Sequence, residues 1–182
     1  MAIFNKMISN LVPYFPKALI YQFAKKYIAG TTKEAALKTV KELNNSGYLV
    51  TLDILGEHTK DKNTASDITA QYIDLYREID LRSLLCNISL KPTHIGSEIS
   101  ADIYNENLQK IINISEVTNN FVRIDMESSK YTDFTINSFL QERKKNVKIG
   151  TVFQAYLYRT YDDVTALELE NLNFRLCKGI YK

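Results

Sequence analysis

From Thr31 onward the chain alternates two hydrophobic periodicities. Ala35, Ala36, Leu37, Val40 and Leu43 recur at helical spacing behind Gly30 and a Thr31-x-x-Glu34 run of capping-box form. Asn44-Asn45-Ser46-Gly47 stops that helix, and Tyr48–Leu55 (YLVTLDIL) then reads as a buried strand. The alternation repeats: helix Thr64–Ile79, strand Cys86–Pro92, helix Asp102–Val117, strand Asn120–Met126, helix Tyr131–Lys145. Thr132 or Asp133 is the expected N-cap of that last helix. Strand Lys148–Leu157, helix Tyr161–Leu172 and a final buried strand at Asn173–Tyr181 (NFRLCKGIY) complete the series. Five strands separated by helices imply βαβ units and a parallel sheet.

The segment before Gly30 is the most apolar stretch, yet Lys6, Lys17, Pro13 and Pro16 interrupt it. It falls short of the roughly 20 continuous apolar residues of a membrane span and lacks a signal-peptide cleavage pattern. It reads as one or two packing helices, with an interfacial amphipathic role as the alternative. The expected organisation is thus an N-terminal helical segment, 1–46, followed by an α/β region, 47–182.

Composition narrows the function classes. With 23 basic and 21 acidic residues the net charge is +2, too little to draw in nucleic acid. The basic run Arg143, Lys144, Lys145 reads as a solvated helix end favoured by the macrodipole. Cys86 and Cys177, the only cysteines, sit in apolar runs and read as buried free thiols in a reducing compartment. With only His58 and His94 besides, no metal centre is expected. Phosphate loops of the G-x-G-x-x-G or G-x-x-x-x-G-K-[ST] type and a Ser nucleophile elbow are absent.

The chemistry lies in polar residues placed late on successive strands, where burial is costly unless a charge is paired or used. They are Asp53 with Glu57, Lys91, Asp125 with Glu127, Gln154, and Arg175 with Lys178. The carboxyl ends of parallel strands are where barrels and doubly wound sheets place their sites. The competing explanation is a set of internal ion pairs that fix register, such as Lys91 with Asp125.

These strand ends, read together, resemble the flavin-dependent proline dehydrogenases. The matching stretches are LDILGE (Leu52–Glu57), ISLKPTHIG (Ile88–Gly96), VRIDMESSKYTDFT (Val122–Thr135), VFQAYLYR (Val152–Arg159) and FRLCKGIYK (Phe174–Lys182). The resemblance implies a (β/α) barrel of that family's type, incomplete here at about five of eight strands. It implies oxidation of L-proline to Δ1-pyrroline-5-carboxylate, with hydride passing to FAD and electrons to a membrane quinone. It places Arg175 beside the flavin with Asp125 as the other catalytic group. Asp125, Met126, Gln154, Lys178, Gly179 and Ile180 would hold the cofactor. Lys91, Tyr181 and Glu57 would bind or enclose proline, Glu57 by pairing with an arginine. Ile180 stands where the family usually has alanine.

The family's final Arg-Arg-x-x-Glu helix has no counterpart in this sequence. The expectation is therefore a truncated form with little activity, self-associating through exposed sheet edges. It would work in the cytoplasm, peripherally at the inner face of a membrane, or in the mitochondrial matrix of a eukaryote. A non-catalytic truncated relative acting as a binding or pairing module is the alternative. A Schiff-base role for Lys91 in an aldolase-type barrel explains one residue where the flavin reading explains seven.

Overall fold

The computed structural model describes residue 16 and residues 28–145, 148–167 and 172–180. The expected N-terminal helices, the end of the last helix and Tyr181 lie outside the described residues. Met1–Tyr48 and Leu49–Lys182 form two compact units.

In the first unit, α1 spans Lys33–Asn45 and buries Leu37 and Val40. Its N-cap is Thr32, whose hydroxyl accepts from the Ala35 amide at 3.2 Å. The cap thus sits one residue beyond the Thr31 capping box expected from sequence. Ala35, not Glu34, holds the N3 position, so the reciprocal half of the box cannot form. Gly47, at φ 86°, closes the helix in the left-handed conformation that glycine adopts most easily.

In the second unit the sequence of elements follows the expected alternation, with shorter strands. Strand β1 is Val50–Leu52, β2 Cys86–Leu90, β3 Val122–Ile124, β4 Ile149–Gln154 and β5 Phe174–Cys177. The helices between them are α2 (Lys62–Leu81), α3 (Ala101–Val117), α4 (Thr132–Arg143) and α5 (Thr160–Ala166). All four strand pairings are parallel, in the order β1-β2-β3-β4-β5. This is the open arc of a (β/α) half-barrel.

Helices α2 and α3 start at side-chain caps. Asp61 accepts from the Thr64 amide at 2.7 Å, and Ser100 from Ile103 at 3.1 Å. Helix α4 has no such cap. A 3₁₀ turn, Ser129–Tyr131, runs straight into it, and Asp133 is engaged instead by Arg159 at 2.5 Å. The expected Thr132 or Asp133 cap is therefore corrected: the chain is already wound when it reaches Thr132.

Strand register sorts side chains onto two faces. Ile88, Val122 and Ile149 share one face, as do Leu90 and Ile124, and all five are fully buried. Ser89, Arg123 and Gly150 lie on the other face, as do Val152 and Arg175 one step further on. Helix α2 contributes Tyr72, Leu75, Tyr76 and Ile79 to the core, and α3 contributes Tyr104, Leu108, Ile111 and Ile112. These stripes at spacings of three and four are the helical pattern of the sequence, realised as burial.

The last strand is exposed at a sheet edge, as a five-stranded arc implies, although its apolar pattern by itself reads as a buried strand. Phe174, Arg175 and Leu176 are all exposed, and Leu176 is 58% accessible. The sequence reads as an interior strand, but among the described residues β5 has only β4 as neighbour and so occupies a sheet edge. Cys177, expected to be buried, is consequently half-buried, whereas Cys86 is buried as expected.

Candidate functional site

The site grows from the carboxyl ends of β1 to β4 and from Arg175, the second residue of β5. In β2, Ser89 and Lys91 alternate with the core residues Ile88 and Leu90, so period-2 geometry turns both away from the core. Lys91 forms an ion pair with Asp53, just past β1, in which both side chains are largely shielded from solvent. Tyr72, a fully buried α2 side chain, donates to the same carboxylate at 3.3 Å. Burial raises the Asp53 carboxyl above its ordinary range and outweighs the lowering exerted by Lys91. The neighbouring charge of Asp125 acts in the same upward direction.

Asp125 follows β3 and accepts two bonds on one oxygen, from Ser89 Oγ at 2.8 Å and from Arg175 at 2.6 Å. The sequence-level suggestion that Lys91 pairs with Asp125 is thereby corrected. Lys91 turns to the β1 side and Arg175 takes Asp125 from the β5 side. Arg175 keeps a side chain 44% exposed, so a tethered guanidinium faces the opening of the arc.

Gln154 closes β4. Its amide nitrogen donates to the carbonyls of Met126 and Glu127, each at 3.0 Å, which fixes its orientation. Its Oε1 is buried without a hydrogen-bond partner, an unsatisfied acceptor of the kind that marks a ligand position. Met126 is itself buried in a cluster with Ile136, Val152 and Phe153.

The remaining sequence-derived residues spread along the rim. Glu57 is exposed, with an oxygen 3.9 Å from His58 Nε2. Lys178 is exposed and takes part through its carbonyl, which accepts from the Tyr156 amide at 3.1 Å. Gly179 has φ 98°, and a Cβ there would run into the Tyr156 ring, so backbone geometry and ring packing both demand glycine. Ile180 is 85% exposed. The structure thus joins Asp53 with Lys91 and Asp125 with Arg175.

Several participants carried no sequence signal. Ser89 looks like an ordinary strand residue, and Tyr72 belongs to the apolar stripe of α2. Arg123, half-buried below Asp125, donates to Thr151 O at 3.0 Å and to Asn173 Oδ1 at 3.2 Å. Thr93 is fully buried and binds the Glu127 carboxylate through both its amide, at 2.8 Å, and its hydroxyl, at 2.5 Å. A cavity of about 640 Å³ lies at the opposite, amino ends of the strands, lined by Val50, Asn87, Asn120 and Phe121 among others. That end of a parallel sheet serves stability and not chemistry. Among the described residues no group of three His, Cys, Asp or Glu side chains could hold a metal ion.

Comparison with known proteins gives one consistent family. The proline dehydrogenase family model matches residues 36–181. Proline dehydrogenase 1 of Bacillus subtilis is 35% identical over 159 residues, covering 87% of this chain and 53% of the relative. Proline dehydrogenase 2 of the same organism is 37% identical over 159 residues, 87% of this chain and 52% of that one. The chain spans about half the length of the curated relatives it matches. Among solved structures, proline utilization A from Bdellovibrio bacteriovorus, inactivated by N-propargylglycine, superposes with a TM-score of 0.79 at 24% identity. That match covers 90% of this chain and 21% of the solved one, and it supports the barrel fold.

Proposed function

This chain belongs to the proline dehydrogenase family, and from that premise we propose that it supplies the cofactor- and substrate-facing strands of an FAD-dependent proline dehydrogenase. The observation that carries the proposal is the convergence of Lys91–Asp53 and Arg175–Asp125 beside the unsatisfied Oε1 of Gln154. L-proline becomes Δ1-pyrroline-5-carboxylate by loss of a hydride from C5 and a proton from nitrogen. FAD, when bound, supplies the acceptor for that hydride.

The residues present fit such a group. The edge of a flavin ring offers an N–H donor, which the Gln154 oxygen lacks, and carbonyl acceptors within the chemistry of a guanidinium. Arg175, held by an Asp125 that Ser89 also anchors, provides a fixed positive charge where negative charge develops, without reorganisation during the reaction. Lys91 has three N–H donors, one of them directed to Asp53, and presents the others to the substrate carboxylate. Asp53 and Tyr72 keep that ammonium in place. By the family resemblance, Glu57 would enclose the substrate, and Met126, Lys178, Gly179 and Ile180 would border the cofactor.

Electrons then pass to a membrane quinone. This reading puts the chain in peripheral contact with the inner face of a membrane, and among the described residues no helix is long and apolar enough to cross one. A second reading, a non-catalytic pairing module, is favoured by the exposed Phe174 and Leu176 of β5.

The test is to titrate FAD into the purified chain and follow flavin fluorescence, then to add L-proline with a dye acceptor. Binding that is weakened by Gln154→Ala and Arg175→Ala supports the flavin reading. Absence of any FAD binding at micromolar concentration sinks it and leaves the pairing module.

A further inference from the structure

His58 is the non-glycine residue beside Glu57, and it stands in the left-handed region at φ 58°. Such a conformation is unfavourable and persists only where surrounding contacts impose it. Two sets of contacts impose it here.

Outside, His58 Nδ1 lies 3.1 Å from Glu98 Oε1, the same oxygen that accepts from the Tyr131 hydroxyl. Inside, the His58 amide donates to Thr93 Oγ1 at 2.9 Å, and the Thr59 amide donates to the Thr93 carbonyl at 3.0 Å. Thr93 in turn contacts Glu127, whose side chain is buried.

The direction of these bonds follows from donor chemistry. A backbone N–H can only donate, so the Thr93 hydroxyl accepts from His58 and directs its own proton to Glu127 Oε1. The Thr93 amide occupies Glu127 Oε2. Both carboxylate oxygens therefore act as acceptors, and Glu127 terminates a one-way relay. The carbonyl of that same Glu127 receives the amide of Gln154. Through Thr93, this buried residue thus links the loop that carries Glu57 to the side chain proposed to face the flavin.

We propose that Thr93 and Glu127 are positioning residues: a buried hydroxyl–carboxylate relay that holds His58 in its left-handed turn and so fixes where Glu57 stands relative to Gln154. The identity of Glu57 as a substrate-enclosing carboxylate rests on the proline dehydrogenase reading, whereas the relay does not.

Hydrogen exchange of single amides, read by ¹⁵N-resolved spectroscopy on the full chain, tests it. In Thr93→Val the His58 amide loses its acceptor and exchanges about tenfold faster. The Thr59 amide, bonded to the Thr93 main chain, stays within about twofold of wild type. Thr93→Ser restores the hydroxyl and returns His58 to wild-type protection. In Glu127→Gln the carboxamide cannot accept from both Thr93 donors, so His58 exchanges several-fold faster.

An unchanged His58 amide in Thr93→Val overturns the relay, as does equal acceleration of His58 and Thr59. Should Thr93→Val not fold, Glu127→Gln decides alone: no change at His58 overturns the relay. A chain that shows these shifts but binds no FAD retains the relay and loses the flavin reading.

Discussion

Arg175 reaches across from the edge strand β5 to Asp125, which follows β3, and their side chains meet at 2.6 Å across β4, where Val152 is the residue in register with Arg175. The pair spans a strand that contributes no charge of its own. Asp125 is well shielded while Arg175 is 44% exposed, so the carboxylate anchors a guanidinium that remains available to a ligand. Arg175→Ala is expected to leave the fold nearly intact, because an exposed partner adds little stability. FAD affinity should instead fall about tenfold to a hundredfold, the range of one lost charged hydrogen bond. Thermal melting and flavin fluorescence titration on the same preparations separate the two effects. A large loss of melting temperature would assign Arg175 a structural role.

Lys91→Met isolates the electrostatics of Asp53. The Asp53 carboxyl is held above its ordinary range chiefly by burial, with Lys91 opposing. A raised folded-state value means that the folded protein binds the proton more tightly, so this group's stability contribution is full below the unfolded value. It is lost as pH rises through the folded one. Removing Lys91 raises the folded value further. At neutral pH the variant should lose on the order of 3 kcal/mol, because a shielded charge is left unpaired. Part of that loss should return at pH 5. Urea midpoints at pH 5 and 7 for both proteins are the check, and a pH-independent difference would rule this account out.

Tyr131→Phe should show the opposite dependence. The Tyr131 hydroxyl, and to a lesser degree His58, hold Glu98 below the usual carboxylate range. Stability from such a group is present above the unfolded value and is lost as pH falls through the folded one. The variant should therefore melt below wild type at pH 7 and converge with it toward pH 3. Melting curves across that range test the sign.

The two thiols should react at very different rates. Burial pushes the Cys86 thiol up to about 12, so its thiolate is scarce at pH 8 as well as inaccessible. Cys177 is half-buried on the edge strand. Iodoacetamide at pH 8 should modify Cys177 first, with Cys86 reacting only after denaturation. Peptide mass mapping reads the order, and equal labelling of both in the folded chain contradicts it.

The edge strand itself should drive self-association. Phe174 and Leu176 are exposed on a β5 whose outer hydrogen-bonding side has no neighbour in the sheet. Such an edge templates pairing with another chain. The purified chain should form dimers or larger species at micromolar concentration, and Leu176→Lys should shift it toward monomer. Light scattering measures both, and a monomeric wild type would show that this edge is protected.

What the sequence determined by itself was whatever depends on local period. Alternation in 86–91 sends Ser89 and Lys91 to one face and Ile88 and Leu90 to the other, whatever the neighbouring strands do. The three-and-four spacing of Tyr72, Leu75, Tyr76 and Ile79 likewise names the buried side of α2 from the chain alone. Parallel order, and hence a shared end for Asp53, Lys91, Asp125, Gln154 and Arg175, followed from the helix between each pair of strands.

Only the tertiary structure decided partners. Lys91 could meet Asp53 or Asp125, and the choice depends on the lateral stagger of strands more than thirty residues apart in sequence, which no local pattern encodes. The same holds for Thr93 with Glu127: the chain marks Glu127 as a late strand charge, but only the fold buries it against Thr93. The exposed edge at β5 followed from the count of five strands, whereas Phe174, Leu176 and Cys177 by their own pattern spell an interior strand. Burial is a property of what lies beside a strand, and beside β5 the sheet has only β4.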